Sequence, residues 1–217
     1  MFYRKIYLPL LACAMAACSK SDKEKPADTD PADLNSISVT ITGEVNQKIE
    51  ARGQDVQVAL LNFTKTSLEG FSVGGLVPDG NGSFKIESAT GLMTLALQAG
   101  NEQTGTATGS VTMKNGNNQV GYSAQMYFLY YETDINSSNS KTYLTLTGVK
   151  DTANLLKLTG QFRYNAAYGP DNQSDACVMD GINHSGRMPM YNPDICGAKK
   201  VKVAGNFTIY LDKVMQH

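Results

Sequence analysis

Apolar residues recur at every second position over most of this chain, and this period limits the possible fold more than any other feature. In ISVTITGEV, the apolar side chains are those of Ile37, Val39, Ile41 and Val45. The same alternation returns in LLKLTGQFRYN and VKVAGNFTIYLD near the end of the chain. Half-buried antiparallel strands produce a period of two, whereas amphipathic helices produce a period of 3.6. The pattern predicts an antiparallel sheet.

Further segments of β-type sequence are separated by turn-forming phrases such as DGNG, KNGNN and NSSNS. These further predicted strands are 47–52, 55–63, 68–77, 83–87, 93–99, 109–114, 119–132 and 141–149. No segment has the pattern of a long amphipathic helix. The sequence therefore predicts an all-β fold, a single antiparallel β-barrel or β-sandwich domain of about ten strands with a long disulfide-stapled loop.

The segment AQMYFLYYE, at positions 124–132, is apolar on both faces. A central strand that is buried on both sides explains this composition. A barrel lining, in which Tyr127, Tyr130 or Tyr131 faces a ligand cavity, is the alternative.

A short phrase occurs three times, as GSFKI at 82–86, GQFRY at 160–164 and GNFTI at 205–209. Each glycine shares a strand face with the aromatic residue two positions later. On an inward face, glycine permits a bend or the close approach of a neighbouring strand. The phrase therefore predicts strongly coiled strands.

The chain begins with a cationic stretch and a short apolar run, LPLLACAMAA, as in a secretory signal peptide. This run is shorter than the roughly 20 residues that span a bilayer. MAAC at 15–18 resembles a bacterial lipobox, which implies that Cys18 is acylated and becomes the mature N-terminus. Ordinary cleavage after Ala17 and lipidation at Cys13 are the alternatives, but Cys13 leaves too short an apolar run before it.

The residues after Cys18 are charged and include two prolines, SKSDKEKPADTDPADLNS. Such a segment buries too little surface to offset its ordering entropy. We therefore expect residues 1–17 to be a signal peptide, 18–36 a lipid-anchored disordered tether and 37–217 the β domain. By resemblance to sorted lipoproteins, the non-acidic Ser19 implies the outer membrane, with the protein on its periplasmic or its surface-exposed face.

The lipobox, the tether, the early ITGEV strand and the late LTGQFRYN and AGNFTIYLD strands together resemble the small β-rich lipoproteins of Bacteroidota. This resemblance implies a lipid-anchored β domain. It supplies no catalytic residues and no cofactor.

The formal net charge of −1 gives no electrostatic case for a nucleic-acid partner.

Of the four cysteines, we expect Cys13 to leave with the signal peptide and Cys18 to carry lipid. The remaining pair, Cys177 and Cys196, predicts a disulfide in an exported chain. The two cysteines do not have C-x-x-C spacing, which disfavours a redox site. The chain has only two histidines, which disfavours a metal site.

The segment 166–198 is the strongest candidate for function. At about 33 residues it far exceeds an ordinary hairpin loop, and such loops are usually functional or disordered. A disulfide within it argues against disorder. The candidate contact residues are Tyr168, His184, Arg187, Met188, Met190 and Tyr191. The alternative is a lid whose Met and Tyr side chains fill one end of the barrel.

Two short motifs remain. GFSVG at 70–74 matches the hydrolase pattern G-x-S-x-G, but the following GLVPDGNG cannot form the helix that this motif needs. We therefore expect Ser72 to be a strand residue and the protein not to be an enzyme.

Asp151-Thr152-Ala153 matches a Bacteroidota O-glycosylation pattern, which makes Thr152 a candidate acceptor.

The function most consistent with the sequence is that of an outer-membrane lipoprotein acting as a non-catalytic binding or envelope-interaction module. Its membrane contact is the N-terminal lipid, and its partner is an envelope protein, a glycan or a small apolar ligand. A lipocalin-like carrier of a small apolar ligand is the main alternative, and a hydrolase is less favoured.

Overall fold

A computed structural model describes residues 30–79, 82–88, 94–105, 109–115, 118–134, 137–168 and 174–213. The predicted signal peptide, the lipidation site Cys18 and most of the predicted tether lie outside these residues.

The described residues form fourteen strands and three α-helices. The strands are β1 (Ser36–Gly43), β2 (Gln47–Arg52), β3 (Val56–Ala59), β4 (Asn62–Phe63), β5 (Ser67–Glu69), β6 (Ser72–Asp79), β7 (Gly82–Ser88), β8 (Leu95–Ala96), β9 (Glu102–Gly105), β10 (Ser110–Asn115), β11 (Asn118–Ser123), β12 (Thr142–Asp151), β13 (Leu155–Tyr168) and β14 (Lys199–Asp212). The helices are α1 (Ala124–Tyr131), α2 (Asp175–Asn183) and α3 (Pro193–Cys196). Short 3-10 turns cover Pro31–Leu34, Gly53–Asp55 and Ser138–Ser140.

One curled antiparallel sheet dominates the fold, with strand order β2-β1-β14-β13-β11-β10-β7-β6-β3. Strands β13 and β14 pair along their whole length, from Leu155↔Asp212 to Tyr168↔Lys199. The sheet forks at β13, because β12 pairs with most of this strand while β11 joins only near its end. A small second sheet contains β4, β5 and β8. The architecture is a half-barrel, and the predicted all-β class is confirmed.

The curl brings two arms of the sheet together across the interior, one formed by β1 and β2 and the other by β6 and its neighbours. Gly75 on β6 lies so close to β1 and β2 that an added Cβ would stand 2.8 Å from Cβ of Ala51 and 3.2 Å from Cγ2 of Ile37. Only a glycine permits this approach without displacing a neighbour. Face-to-face contact between the arms gives the half-barrel an interior.

The two-residue alternation predicts the interior correctly. Ile37, Val39 and Ile41 on β1 are 2%, 0% and 0% exposed, whereas Thr40 between them faces solvent. The same inward series continues on the partner strands. It includes Leu156, Leu158, Phe162 and Tyr164 on β13 and Val201, Val203, Phe207 and Ile209 on β14. Burial of this apolar surface is the main contribution to the stability of the domain.

The late Gly-x-Phe phrases pair with each other in a way that their sequences alone do not reveal. In the β13–β14 register, Phe162 lies opposite Gly205 and Gly160 lies opposite Phe207. An added Cβ at either glycine would stand 2.5 Å from Cζ of the phenylalanine opposite it. Each aromatic ring therefore covers the partner strand's glycine. The close approach predicted from the phrase is made by these rings.

The prediction of a strand over 124–132 is wrong, because Ala124–Tyr131 forms helix α1. The hydroxyl of Ser123 accepts a hydrogen bond from the Met126 N–H at 3.1 Å and caps the helix. Tyr130 is 1% exposed, and the helix packs between β13 and the disulfide region. Burial on more than one side explains why a helix shows no amphipathic period here.

Two predicted boundaries also differ from the structure. The segment 166–198 is not all loop, since β13 continues to Tyr168 and the segment contains α2 and α3. The ordered domain begins before residue 37, because Pro31–Leu34 forms a 3-10 turn. The next residue, Asn35, is 6% exposed and its side chain accepts the Tyr210 N–H at 2.8 Å. This contact attaches the start of β1 to β14.

Candidate functional site

The predicted disulfide is confirmed. Cys177 on α2 and Cys196 on α3 are bonded, with their Cα atoms 4.9 Å apart. Both residues are buried, at 0% and 1% exposure. The bond joins two helices that are individually too short to be stable on their own. We call residues 174–198 the stapled segment.

The stapled segment docks on α1 through backbone and aromatic contacts. The Met190 N–H donates to the carbonyl of Leu129 at 2.9 Å. The ring of Tyr191 lies 5.5 Å from that of Tyr130, centroid to centroid. Together with the two cysteines, these side chains form a small second cluster that is separate from the main core. We call α1 plus the stapled segment the cap.

A buried carboxylate orders the interior of the stapled segment. Asp180 is 7% exposed, and one of its oxygens accepts the Asn192 N–H at 2.6 Å. Its other carboxylate oxygen lies 3.3 Å from Nδ1 of His184. These contacts tie the C-terminal half of α2 to the start of α3, so Asp180 and His184 have an architectural role.

The predicted contact residues are mostly packed rather than displayed. Tyr168 is half-buried, with its ring centroid 5.8 Å from that of Tyr122, and Tyr191 lies against Gly181 inside the cap. His184, Met188 and Met190 are also half-buried. Of the six candidates, only Arg187 has a side chain that is largely exposed to solvent. For the tyrosines, the lid interpretation describes the packing better than the contact-surface interpretation.

The stapled segment nevertheless displays an apolar surface, which we call the apolar patch. It consists of Val178, Met179 and Ile182 on α2 and Ile195 on α3, which are 43%, 54%, 60% and 48% exposed. The α2 residues share one helix face, because they are one, three and four positions apart, while Cys177 and Asp180 face inward. This patch was not among the contact residues predicted from the sequence. The Ser174 N-cap followed by the 178/182 spacing is the signal that identifies it.

No enclosed ligand cavity is needed to explain the buried tyrosines. The interior of the described half-barrel is occupied by side chains of the main core. Tyr130 and Tyr131 belong to the cap and not to a barrel lining, and burial raises the pKa of both phenols. Tyr127 lies on the outer side, where it borders a groove on the sheet.

The two short motifs, around Ser72 and Thr152, have the structural positions that their flanking sequences predict. Ser72 begins strand β6, opposite Ala59, as expected for a strand residue. Thr152 is exposed in the turn between β12 and β13. Its hydroxyl donates to the carbonyl of Leu155 at 2.8 Å and accepts the Leu155 N–H at 3.1 Å. A glycan at Thr152 would remove the donated hydrogen bond from this turn.

Neither a membrane-crossing helix nor a metal-binding group is found in the described part of the chain. None of its helices has both the length and the apolar character that crossing a bilayer requires. Among the same residues, no three His, Cys, Asp or Glu side chains are grouped to hold a metal ion.

Comparisons with known proteins give no relative for this arrangement. No protein-family model matches the chain, and no curated protein and no solved structure matches it.

Proposed function

We propose that this protein is a lipid-anchored, non-catalytic binding module of the outer membrane, and that the apolar patch is its contact surface for another envelope protein. The observation that carries this proposal is the exposure of Val178, Met179 and Ile182 together on one face of α2. Large apolar side chains grouped at a surface mark an interaction site more often than scattered ones do.

The disulfide supports a contact role because it makes the patch rigid before any partner arrives. The bond fixes α2 against α3, and Asp180 fixes the link between them. A surface that is already ordered loses less conformational entropy on binding than a flexible loop would. The stapled segment therefore meets the physical requirement for a specific contact.

The charges around the patch favour a protein partner over the membrane surface. Asp175 and Asp194 are exposed beside it, and neither α2 nor α3 contains a Lys or Arg. Helices that lie on anionic bilayers usually carry cations on their polar face. The patch suits a protein surface that is apolar at its centre and basic at its rim.

The anchor is the second part of the proposal and rests on the resemblance of MAAC at 15–18 to a lipobox. A diacylated Cys18 would hold the domain at a bilayer, since each buried methylene contributes about 0.8 kcal/mol. Mass spectrometry of the mature protein from native cells tests this directly. An acylated Cys18 supports the proposal, and an unmodified soluble protein contradicts it.

Site-specific photo-crosslinking in cells tests the contact surface. A photoreactive residue at Ile182 is expected to give a discrete adduct with an envelope protein, and the adduct should disappear when Met179→Asp is added. The matched control is a photoreactive residue at Gln161, which is exposed on β13 outside the patch. Equal adducts from both positions, or adducts with lipid only, would contradict the proposal. A dimer adduct would identify a second copy of the chain as the occupant and overturn the envelope partner.

A further inference from the structure

We propose that a groove on the outer face of the sheet is a binding site for an acidic oligosaccharide. The groove has a volume of about 700 Å³ and lies outside the core, against strands β1, β12, β13 and β14. Its size falls within the range of roughly 300–1,000 Å³ that small-molecule sites usually have.

A small side chain creates the floor of this groove. Ala204 on β14 is exposed, and it pairs with Arg163 on β13, which pairs in turn with Tyr143 on β12. Lys202 is the next outward residue on β14. The alanine leaves a depression between longer side chains because outward residues on neighbouring strands stand side by side.

The wall of the groove is fixed to its floor by hydrogen bonds. The Asn165 side chain on β13 donates to the carbonyl of Asn139 at 3.0 Å. The Tyr143 hydroxyl donates to the carbonyl of Ser138 at 2.7 Å. The 3-10 turn Ser138–Ser140 is therefore held over the sheet. The groove exists before a ligand binds, which reduces the entropy cost of binding.

Tyr127 provides an aromatic surface in the groove. Its ring is stacked on that of Tyr131, with centroids 5.3 Å apart and planes at 30°. Tyr127 also borders a second groove of about 460 Å³, whose charged lining residues are Lys200, Lys202 and Glu44. An aromatic ring that is held in place and borders a groove suits the C–H face of a pyranose, and nearby amide and hydroxyl groups suit its hydroxyls.

The charge of the lining favours anions. Lys141, Arg163 and Lys202 line the first groove, and none of its lining residues is acidic. Arg163 is paired with Glu102 at 2.9 Å and lies 3.9 Å from the Tyr143 ring centroid, so its charge is partly neutralised. No described residue forms an ion pair with Lys141 or Lys202.

The positions of the cations favour several spaced anionic groups over a single phosphate. Lys200 and Lys202 are two residues apart on β14, so their Cα atoms are about 7 Å apart. Lys141 also lines the first groove and comes from the other side of β13. A chain of sugar acids places a carboxylate on successive rings and hydroxyls between them. An acidic peptide is disfavoured because the backbones of β13 and β14 are paired with each other and offer no free strand edge.

Isothermal titration calorimetry of the whole mature chain tests this inference. The probes are oligosaccharides of galacturonate, hyaluronan and chondroitin sulfate, with maltohexaose as the neutral control. We expect at least one acidic probe to bind, and Tyr127→Ala and Lys202→Ala each to weaken it about fivefold or more. Ala204→Phe should abolish binding while leaving every cation in place. Lys150→Ala, an exposed lysine on β12 outside the groove, should leave affinity unchanged.

Three outcomes would overturn the inference, provided that circular dichroism shows each variant to be folded. The first is no heat from any acidic oligosaccharide at about 5 mM, a concentration that reveals even millimolar affinity. The second is equal binding by Ala204→Phe, which would show attraction by surface charge without use of the groove. The third is tighter binding of polyglutamate or adenosine monophosphate than of the acidic sugars, which would identify a different ligand class.

Discussion

The interior of the half-barrel and the cap solve the same problem, the burial of apolar side chains, by different means. In the half-barrel, strands from distant parts of the chain enclose a continuous core whose central members are 0–3% exposed. In the cap, the fully buried members of the second cluster are Tyr130, Cys177 and Cys196, whereas Val178, Met179 and Ile182 remain at the surface. A sheet with two packed arms can enclose its apolar face, whereas nine-residue and four-residue helices cannot. The difference shows that the disulfide in the cap supplies stability that a larger core would otherwise supply, while apolar side chains of the cap stay exposed to solvent.

The largest effect is expected when a large side chain is removed from the main core. Phe207 is 3% exposed, covers Gly160 and lies 6.0 Å from Phe71, centroid to centroid. Phe207→Ala should lower the free energy of unfolding by about 3–5 kcal/mol, because it leaves a cavity and uncovers the glycine. Urea denaturation followed by circular dichroism measures this loss. Asn206→Ala, an exposed change on the same strand, should alter stability by less than about 0.5 kcal/mol. A loss below about 1 kcal/mol for Phe207→Ala would contradict the tight core.

A smaller and more local effect is expected in the cap. Removing both cysteines, with Cys177→Ala and Cys196→Ala, should cost roughly 3 kcal/mol in the chain-entropy model. Because the cysteines belong to the second cluster, the amides of Met190 and Tyr191 should lose hydrogen-exchange protection while those of β13 and β14 keep theirs. Equal loss of protection in cap and sheet would show that they unfold as one unit. In that case the comparison between the two regions fails.

The N-cap of α1 offers a gentler change at the junction of the two regions. Ser123→Ala removes the hydroxyl that accepts the Met126 N–H, and should destabilise the helix by about 1 kcal/mol. Ser123→Thr retains the hydroxyl and is the matched control. Hydrogen exchange at 126–131 measures the effect. Identical exchange in both variants would mean that packing alone maintains α1.

The smallest effect has the opposite sign and concerns a phenol in the main core. Tyr164 is 3% exposed, and its hydroxyl has no hydrogen-bond partner among the described residues. Tyr164→Phe removes an unsatisfied polar group and should leave stability unchanged or raise it by up to about 1 kcal/mol. A loss of more than about 1 kcal/mol at neutral pH would show that the hydroxyl has a stabilising partner.

The same substitution has a pH dependence that can be measured. Burial raises the pKa of Tyr164 above its ordinary value of about 10, because the phenolate is poorly solvated in the core. The Tyr164 phenol therefore resists ionisation in the folded chain. Its contribution to the free energy of unfolding is constant below about pH 10 and falls as pH rises above it. The advantage of Tyr164→Phe should be larger at pH 11 than at pH 8, as measured by urea denaturation. An advantage that is the same at both pH values would contradict burial of the phenol.

Local pattern was sufficient to predict the elements that obey a single rule. Alternation identified the inward side chains of β1, β13 and β14, since the period of a strand is set by its own backbone. Counting the cysteines identified the Cys177–Cys196 bond, because the number of alternatives was small. The two late Gly-x-Phe phrases, at 160–164 and 205–209, were correctly predicted to have a structural role. Their reciprocal pairing depends on the register between β13 and β14, which neither phrase contains.

Tertiary contacts decided the segments whose composition fits more than one structure. The run at 124–132 is apolar on every side, and such a run suits a buried strand or a buried helix equally well. The N-cap hydrogen bond of Ser123 and the space between β13 and the stapled segment favoured the helix. The same reason applies to Tyr191 and Ile182, since an aromatic or aliphatic residue in a stapled segment can pack or protrude. The all-β class and the inward faces of the main strands were therefore determined by the sequence, because a repeating local pattern can encode them. The curl of the sheet into a half-barrel and the choice of exposed side chains on α1, α2 and α3 depended on tertiary packing, because both involve neighbours that lie far apart in the chain.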